Sequence, residues 1–263
     1  MKHDPIKEDM PNVTIIIATY NSAKTVRRAL DSVLQQTFQE WECIVVDGAS
    51  SDGTMDIVRE FCGVDSRFHF ISEKDNGIYD AYNKGWRMAK GKWILYLGSD
   101  DKLSKNGIEN LVANSDGGDL IVGNVYLVKP WGELTKQYAQ GRKGCHQSMI
   151  TRRTVIEALG GFDEQYKILA DADLNIRLEM NGYVIKNIDS FVSYFSVNGV
   201  SQSMNHLFAR AKERYYIYKR NNYCRYPLWR SMHKYAKDIL TCMYRKLKMK
   251  NIAPFEQTSY DNV

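Results

Sequence analysis

The fold is decided by residues 13–54, "VTIIIATYNSAKTVRRALDSVLQQTFQEWECIVVDGASSDGT". The stretch opens on a short, β-branched apolar run, Val13 to Tyr20, which reads as a strand. Val26, Leu30, Val33 and Leu34 then recur at helical spacing, with Ser22 as the expected N-cap. Residues 42–46 repeat the apolar run, Gly48 and Gly53 follow in a loop, and "TMDIVREFC" reads as a second helix. Strand, loop, helix is thus written twice within 50 residues.

The same plan continues outward. "FHFISE" is a third strand, Ile78 to Met88 a third helix, "GKWILYLGSDD" a fourth strand, and "LSKNGIENLVAN" a fourth helix with Ser104 as its expected cap. "GDLIVGNVYLV" is a fifth strand that turns through "KPWGEL" into a hairpin. Such alternation predicts right-handed β-α-β units and an α/β fold, a mostly parallel sheet with helices on both faces. Ligands gather at the carboxyl ends of strands in such sheets. Thr19, Tyr20 and Asn21 end the first strand, Asp47 the second, and Asp100 with Asp101 the fourth, so all are expected on one rim.

Beyond residue 140 the alternation weakens. A short strand or loop at "SMIT", a helix from about 151 to 158, a turn at Gly160 and Gly161, a helix over "ADADLNIRLEMNGY" and two short strands, "YVIKN" and "FVSYFSV", complete a body ending near residue 200. The tail is expected to be helical over about 203–221 and 228–249.

Composition is that of a folded protein, with 44% hydrophobic and 25% charged residues. The cysteines at 43, 62, 145, 224 and 242 form no CxxC pair, which argues for a reducing compartment and against structural zinc. With no signal-peptide core and no long apolar window, the expected location is the cytoplasm. The net charge of +5 is uneven: residues 201–263 carry 13 Lys or Arg against 4 Asp or Glu, which leaves residues 1–200 mildly acidic.

Two adjacent carboxylates at a strand end repel each other, and burial raises the cost. A hard divalent cation, Mg²⁺ or Mn²⁺, relieves it and typically reaches a protein through one or two carboxylates plus substrate phosphates. The plain alternative is an Asp that caps the next helix. Asp47, between a strand and Gly48, suits the imide N–H of a uracil; its plain alternative is an Asx-turn.

Taken in order, "VTIIIATYNSAKTVRRALDSVLQQTFQEWECIVVDGASSDGT", "NGIYDAYNKG", "LGSDD" and "GGFDEQYKILADADLNIRL" resemble the successive motifs of family 2 glycosyltransferases of the GT-A fold, over residues 12 to about 200. The resemblance implies a nucleotide-sugar half at about 12–125 and an acceptor half at about 126–200. It implies base-binding roles at Thr19 and Asp47, with Tyr20 and Asn21 alongside, and a nucleotide-flanking role for Gly77 and Asn83 in the pattern Gly77, Ala81, Asn83, Gly85. Ser99, Asp100 and Asp101 match the acidic motif that binds ribose and, through Mn²⁺ or Mg²⁺, the diphosphate; Asp101 is expected as the direct ligand, with Asp100 beside it. Tyr82 stands where the family often has Arg.

Inverting transfer needs a general base, and the resemblance implies Asp171, in "ADADL", for that role. Helix-start acids are also favoured by capping and the macrodipole, and that reading suffices for Asp173, paired with Arg177. His146 and Gln147 are expected on the acceptor side.

In the tail, Leu228, Met232, Tyr235, Ile239 and Met243 form an apolar stripe among cations, which reads either as a helix on an anionic membrane surface or as packing onto the body. The resemblance completes the expectation: a cytoplasmic enzyme, peripheral on the inner membrane face, moving a hexose-type sugar from a nucleotide sugar, UDP-linked in preference, to a glycan or lipid-linked acceptor for capsule, lipopolysaccharide or exopolysaccharide. Self-association into a homo-oligomer stays open. Two other classes compete. A nucleotidyltransferase would carry a Gly-rich basic loop after the first strand, which "ATYNSAKT" is not; a nucleic-acid-binding module conflicts with the acidic rim, so no nucleic-acid partner is expected.

Overall fold

Seven consecutive buried residues, Val13–Thr19, form β1 at the centre of the sheet. The computed structural model describes residues 11–139, 145–197 and 206–250. Alternate side chains of β1 enter two cores: Ile15 and Ile17 pack with α1 (Val26–Leu34), α2 (Thr54–Val64) and α4 (Gly107–Ala113), whereas Ile16 and Ala18 pack with α3 (Ile78–Met88), α5 (Arg153–Leu159) and α6 (Ala170–Met180). A strand buried on both faces reads as a continuous apolar run, which is why β1 shows no polar alternation.

The parallel half is built from β1, β2 (Trp41–Asp47), β3 (Phe68–Ser72) and β4 (Trp93–Gly98), in the order β3-β2-β1-β4. Past β4 the sheet is mixed. β8 (Met149–Arg152) runs antiparallel to β4, β6 (Leu120–Val128) antiparallel to β8, and β9 (Ile185–Ser196) parallel to β6. A two-residue strand, β5 (Lys102–Leu103), closes the edge on β9, and β7 (Leu134–Gln137) forms the hairpin with β6.

Several local expectations shift. The cap of α1 is Thr25 and that of α4 is Asn106, not Ser22 and Ser104. Ser22 instead supplies the carbonyl that receives the Thr25 and Val26 N–H groups. The two expected strands before residue 197 are one strand, β9, bent by register shifts opposite Val122–Val125.

The tail folds as α7 (Leu207–Arg220) and α8 (Pro227–Lys250). Ile217 of α7 enters the same core as α3 and α6. No helix among the described residues is long and apolar enough to cross a membrane.

Candidate active site

Parallel register sets Thr19 beside Asp47 and Asp47 beside Ser72 where the strands end. The Asp47 carboxylate accepts four hydrogen bonds: Thr19 Oγ1 (2.9 Å) and Ser50 Oγ (2.5 Å) on Oδ1, and the Ser50 N–H (2.9 Å) and Ser72 Oγ (2.7 Å) on Oδ2. Burial pushes its pKa up, but the Ser50, Ser72 and Thr19 donors outweigh burial and hold it below the usual carboxylate range. The carboxylate expected to accept from a base is thus engaged on both oxygens by donors of the protein itself. Asp47 is fully buried and its lone pairs are filled, so it organises the rim in the manner of an Asx-turn.

Asn21 has a similar task. At φ 49° it accepts the Ser51 N–H on Oδ1 (3.0 Å) and donates its own N–H to Ser50 Oγ (2.8 Å), clamping the loop after β1 to the loop after β2. Tyr20 is the open element, 66% exposed. A Cβ on Gly48 would lie 2.6 Å from Asp75 Oδ2 and 3.3 Å from Tyr20 Cδ2, so Asp75 and Tyr20 close over a bare stretch of backbone. Asp75 did not stand out in the sequence.

The segment Gly77 to Gly85 is mainly a packing device. Gly85 lies where α3 crosses β1, and a Cβ there would stand 2.4 Å from Ile16 Cγ2. Asn83, expected beside the nucleotide, is 1% exposed. Its Nδ2 donates to the Phe162 carbonyl (2.9 Å) and Glu164 Oε1 (2.8 Å), and its Oδ1 accepts from the Phe162 N–H (2.9 Å) and Trp86 Nε1 (3.0 Å). With every polar position used, it ties α3 to the loop before α6. Gly77 is exposed at the start of α3, at φ 118°.

At the end of β4, Ser99 meets Ser22 hydroxyl to hydroxyl at 3.0 Å. A Cβ on Gly98 would stand 2.5 Å from Asp101 Oδ2 and 3.0 Å from Asp100 Oδ1, so both carboxylates converge over this glycine. Asp101 is 2% exposed, with Oδ1 taken by the Ser196 N–H and Oδ2 by Gln147 Nε2, each at 2.8 Å. Burial and the Asp100 charge push its pKa up to about 7. Asp100 is the more open of the two, and burial likewise raises its pKa against the pull of Arg28 and His146. Of the two, Asp100 presents the more accessible oxygens, although Asp101 is the expected direct ligand.

Gln147, expected on the acceptor side, is 1% exposed and spends its Nε2 on Asp101. His146, at the start of the 3-10 turn His146–Ser148, keeps 25% of its side chain exposed, with Nδ1 3.6 Å from Asp171 Oδ2. On the other oxygen, Asp171 Oδ1 receives the Ala172 N–H (2.8 Å) and lies 3.1 Å from the Tyr79 hydroxyl. Burial pushes the Asp171 pKa up, yet His146, Ala172 and Tyr79 more than offset it and hold the carboxyl below its usual range. Burial pulls His146 the other way, but Asp171, Asp101 and Asp100 together keep its pKa raised.

Helix α6 is itself held from the tail. Glu213 of α7 accepts the N–H groups of Lys167, Ile168 and Leu169 at 2.8, 3.1 and 2.9 Å, just before the turn that carries Asp171. Asp173, fully buried, pairs with Arg177 at 2.7 Å and receives Asn221 Nδ2 at 3.1 Å, which bears out its structural reading. Neither Tyr79 nor Glu213 stood out in the sequence, because the partners are 92 residues apart in one case and 44–46 in the other.

The family model described as "Glycosyl transferase family 2" matches residues 14–169. The chain belongs to glycosyl transferase family 2. A PGL/p-HBAD biosynthesis glycosyltransferase of Mycobacterium bovis is 32% identical over 207 residues, which cover 74% of this chain and 80% of that protein. Among solved structures, Staphylococcus aureus TarS residues 1–349, in complex with UDP-GlcNAc, superposes with a TM-score of 0.66 at 20% identity, over 80% of this chain and 65% of that one. The mannosyltransferase PcManGT of Pyrobaculum calidifontis, in complex with GDP-Man and Mn²⁺, gives 0.65 at 18% identity, over 94% of this chain and 77% of that one. The family 2 match ends at residue 169, so Asp171 and the tail lie just beyond it.

Proposed function

We propose that this family 2 chain is an inverting glycosyltransferase that moves a hexose-type sugar from a nucleotide diphosphate sugar, UDP-linked in preference, to a glycan or lipid-linked acceptor. The observation that carries the reading is the convergence, around His146, of a low-pKa carboxylate (Asp171) and an acidic pair (Asp100, Asp101) at the carboxyl end of a parallel sheet. The relative named for PGL/p-HBAD biosynthesis supports a biosynthetic glycosyltransferase, and the neighbours solved with UDP-GlcNAc and GDP-Man support the donor class.

The acceptor hydroxyl oxygen attacks the anomeric carbon as the bond from that carbon to the diphosphate oxygen breaks; the bonding pair leaves with the diphosphate. Asp171 takes the hydroxyl proton. Its lowered pKa keeps it ionised at neutral pH, while a side-chain exposure of 32% leaves it open to an acceptor. His146 and Tyr79 hold its two oxygens. Tyr20, Asp75 and the Gly48 backbone line the edge for the nucleotide base, with Asp47, Thr19, Asn21 and Ser50 rigid beneath.

The oxygen donors at Asp100 and Asp101 fit Mn²⁺ or Mg²⁺. Two carboxylates with raised pKa values, Asp101 buried and Asp100 partly open, meet over a glycine, where a cation would relieve their repulsion. Among the described residues no three His, Cys, Asp or Glu side chains gather as a cage, so Asp100 would hold the ion with Asp101 behind it and diphosphate oxygens completing the set. When bound, the ion supplies charge neutralisation at the leaving diphosphate.

The basic tail, with 13 Lys or Arg against 4 Asp or Glu over residues 201–263, supports a cytoplasmic, peripheral location at the inner face of the membrane. The test is a screen of nucleotide sugars with time-resolved product analysis. Release of nucleoside diphosphate with sugar transferred or hydrolysed is expected. Release of inorganic pyrophosphate from a nucleoside triphosphate would instead mark a nucleotidyltransferase.

A further inference from the structure

Helix α8 buries one face and leaves another bare. Ser231 and Cys242 turn inward at 2% and 7% exposure. Asp238, the sole carboxylate in Pro227–Lys250, takes Arg214 of α7 at 3.4 Å and Lys234 at 3.7 Å. On the other side Leu228, Trp229, Met232, Leu240, Met243 and Leu247 are each 51–69% exposed. From Trp229 to Leu247 they follow the helical repeat, forming one stripe about 27 Å long at 1.5 Å per residue. The stripe expected from sequence is therefore turned: Tyr235 and Ile239 are half-buried, and Trp229, Leu240 and Leu247 take their place.

Charge selects the occupant. Lys234, Lys237 and Lys246 are exposed on α8, and its single carboxylate is drawn inward, so the charges on the outer side are cations. A second copy packed on this stripe would bring lysine against lysine, which costs energy. An anionic phospholipid surface accepts the apolar residues and the lysines together.

We propose that α8 lies along an anionic phospholipid surface, with Trp229, Met232, Leu240, Met243 and Leu247 inserted at the boundary of headgroups and acyl chains and the lysines at phosphate level. This gives the peripheral location a defined surface, and it stands or falls independently of the transfer chemistry. Since Glu213 and Asn221 join the tail to α6, a docked α8 holds the base-bearing helix at a fixed height above the lipid.

The experiment is co-sedimentation of the full chain with phosphatidylcholine vesicles and with vesicles that also contain phosphatidylglycerol. The wild type is expected to pellet with the mixed vesicles and to be released by salt. Trp229→Glu with Leu240→Glu, both on exposed positions, is expected to abolish pelleting. Lys237→Ala with Lys246→Ala is expected to weaken it about thirtyfold, the loss of two surface cations. Unchanged circular dichroism and melting temperature confirm that these variants fold. A wild type that stays in the supernatant with both vesicle types overturns the proposal, as does unchanged pelleting of the Glu variant. A wild-type dimer in sedimentation velocity that the Glu variant converts to monomer, without vesicle binding, overturns it in favour of a copy-to-copy interface.

Discussion

His146 Nδ1 faces Asp171 Oδ2 at 3.6 Å, and the pair shifts both titrations: the carboxyl down, the imidazole up. Asp171 keeps 32% of its side chain exposed yet is held from both sides, the arrangement a base needs if it is to stay ionised and fixed in direction.

Asp171→Asn is accordingly expected to lower kcat by about a thousandfold, within the span typical of general bases. Binding of the donor nucleotide should stay near the wild-type value. Steady-state kinetics and calorimetry on the same preparation check both; undiminished kcat would remove Asp171 from the role.

His146→Gln should act through pH. Loss of the cation lets the Asp171 pKa rise, so the acid limb of the kcat profile is expected to move to higher pH. Stability follows the same pair. The Asp171 contribution, from a lowered pKa, is present above the ordinary carboxylate pKa of about 3.9 and lost as pH falls. The His146 contribution, from a raised pKa, is present below about 6.5 and lost as pH rises through its folded value. The melting-temperature difference between wild type and His146→Gln is therefore expected to be greatest near pH 5 and to shrink on either side.

Glu213→Ala strips three backbone N–H groups of their acceptor, which should cost on the order of 2 kcal/mol. Displacement of the start of α6 should also lower kcat more than it raises KM. Glu213→Gln keeps one carbonyl oxygen and is expected to recover part of both. Equal losses in the two variants would mean that charge, not hydrogen bonding, is what α7 supplies.

Asp101 makes a prediction for protein stripped of divalent cations. Its carboxyl, raised to about 7, costs stability as pH rises from the ordinary carboxylate value to the folded one. Asp101→Asn should therefore raise the melting temperature of the chelator-treated protein at pH 8 and change it little at pH 4. Gln147, whose Oε1 has no partner among the described residues, can turn to accept the new amide. Excess Mn²⁺ should narrow the gap at pH 8. A gap of the same size at both pH values would show that burial of this charge is not what the substitution relieves.

What the sequence made legible follows from period and position. Five apolar residues in β1 and five more in β2, in short β-branched runs, read as buried strands, and a parallel sheet then places Thr19, Asp47 and Asp100 on one rim. Residue roles were less legible, since they depend on partners distant along the chain. Asn83 looks like a ligand residue until the loop at 162–164 occupies it, and Asp47 looks like an open acceptor until Ser72 of the next strand arrives. Gln147 looks like a cleft residue until Asp101 closes over it. Glu213 carries no local pattern at all. The bend in β9 was missed for the opposite reason: Asp189 and Ser190 break its apolar run, so one strand reads as two.

The claim that the carboxylates over Gly98 hold a metal-bound diphosphate is tested most directly by calorimetric titration of UDP, with and without Mn²⁺, into wild type and Asp100→Ala. The account predicts binding that requires Mn²⁺ in the wild type and is lost in the variant. Equal binding by both proteins, or binding indifferent to the cation, would contradict it.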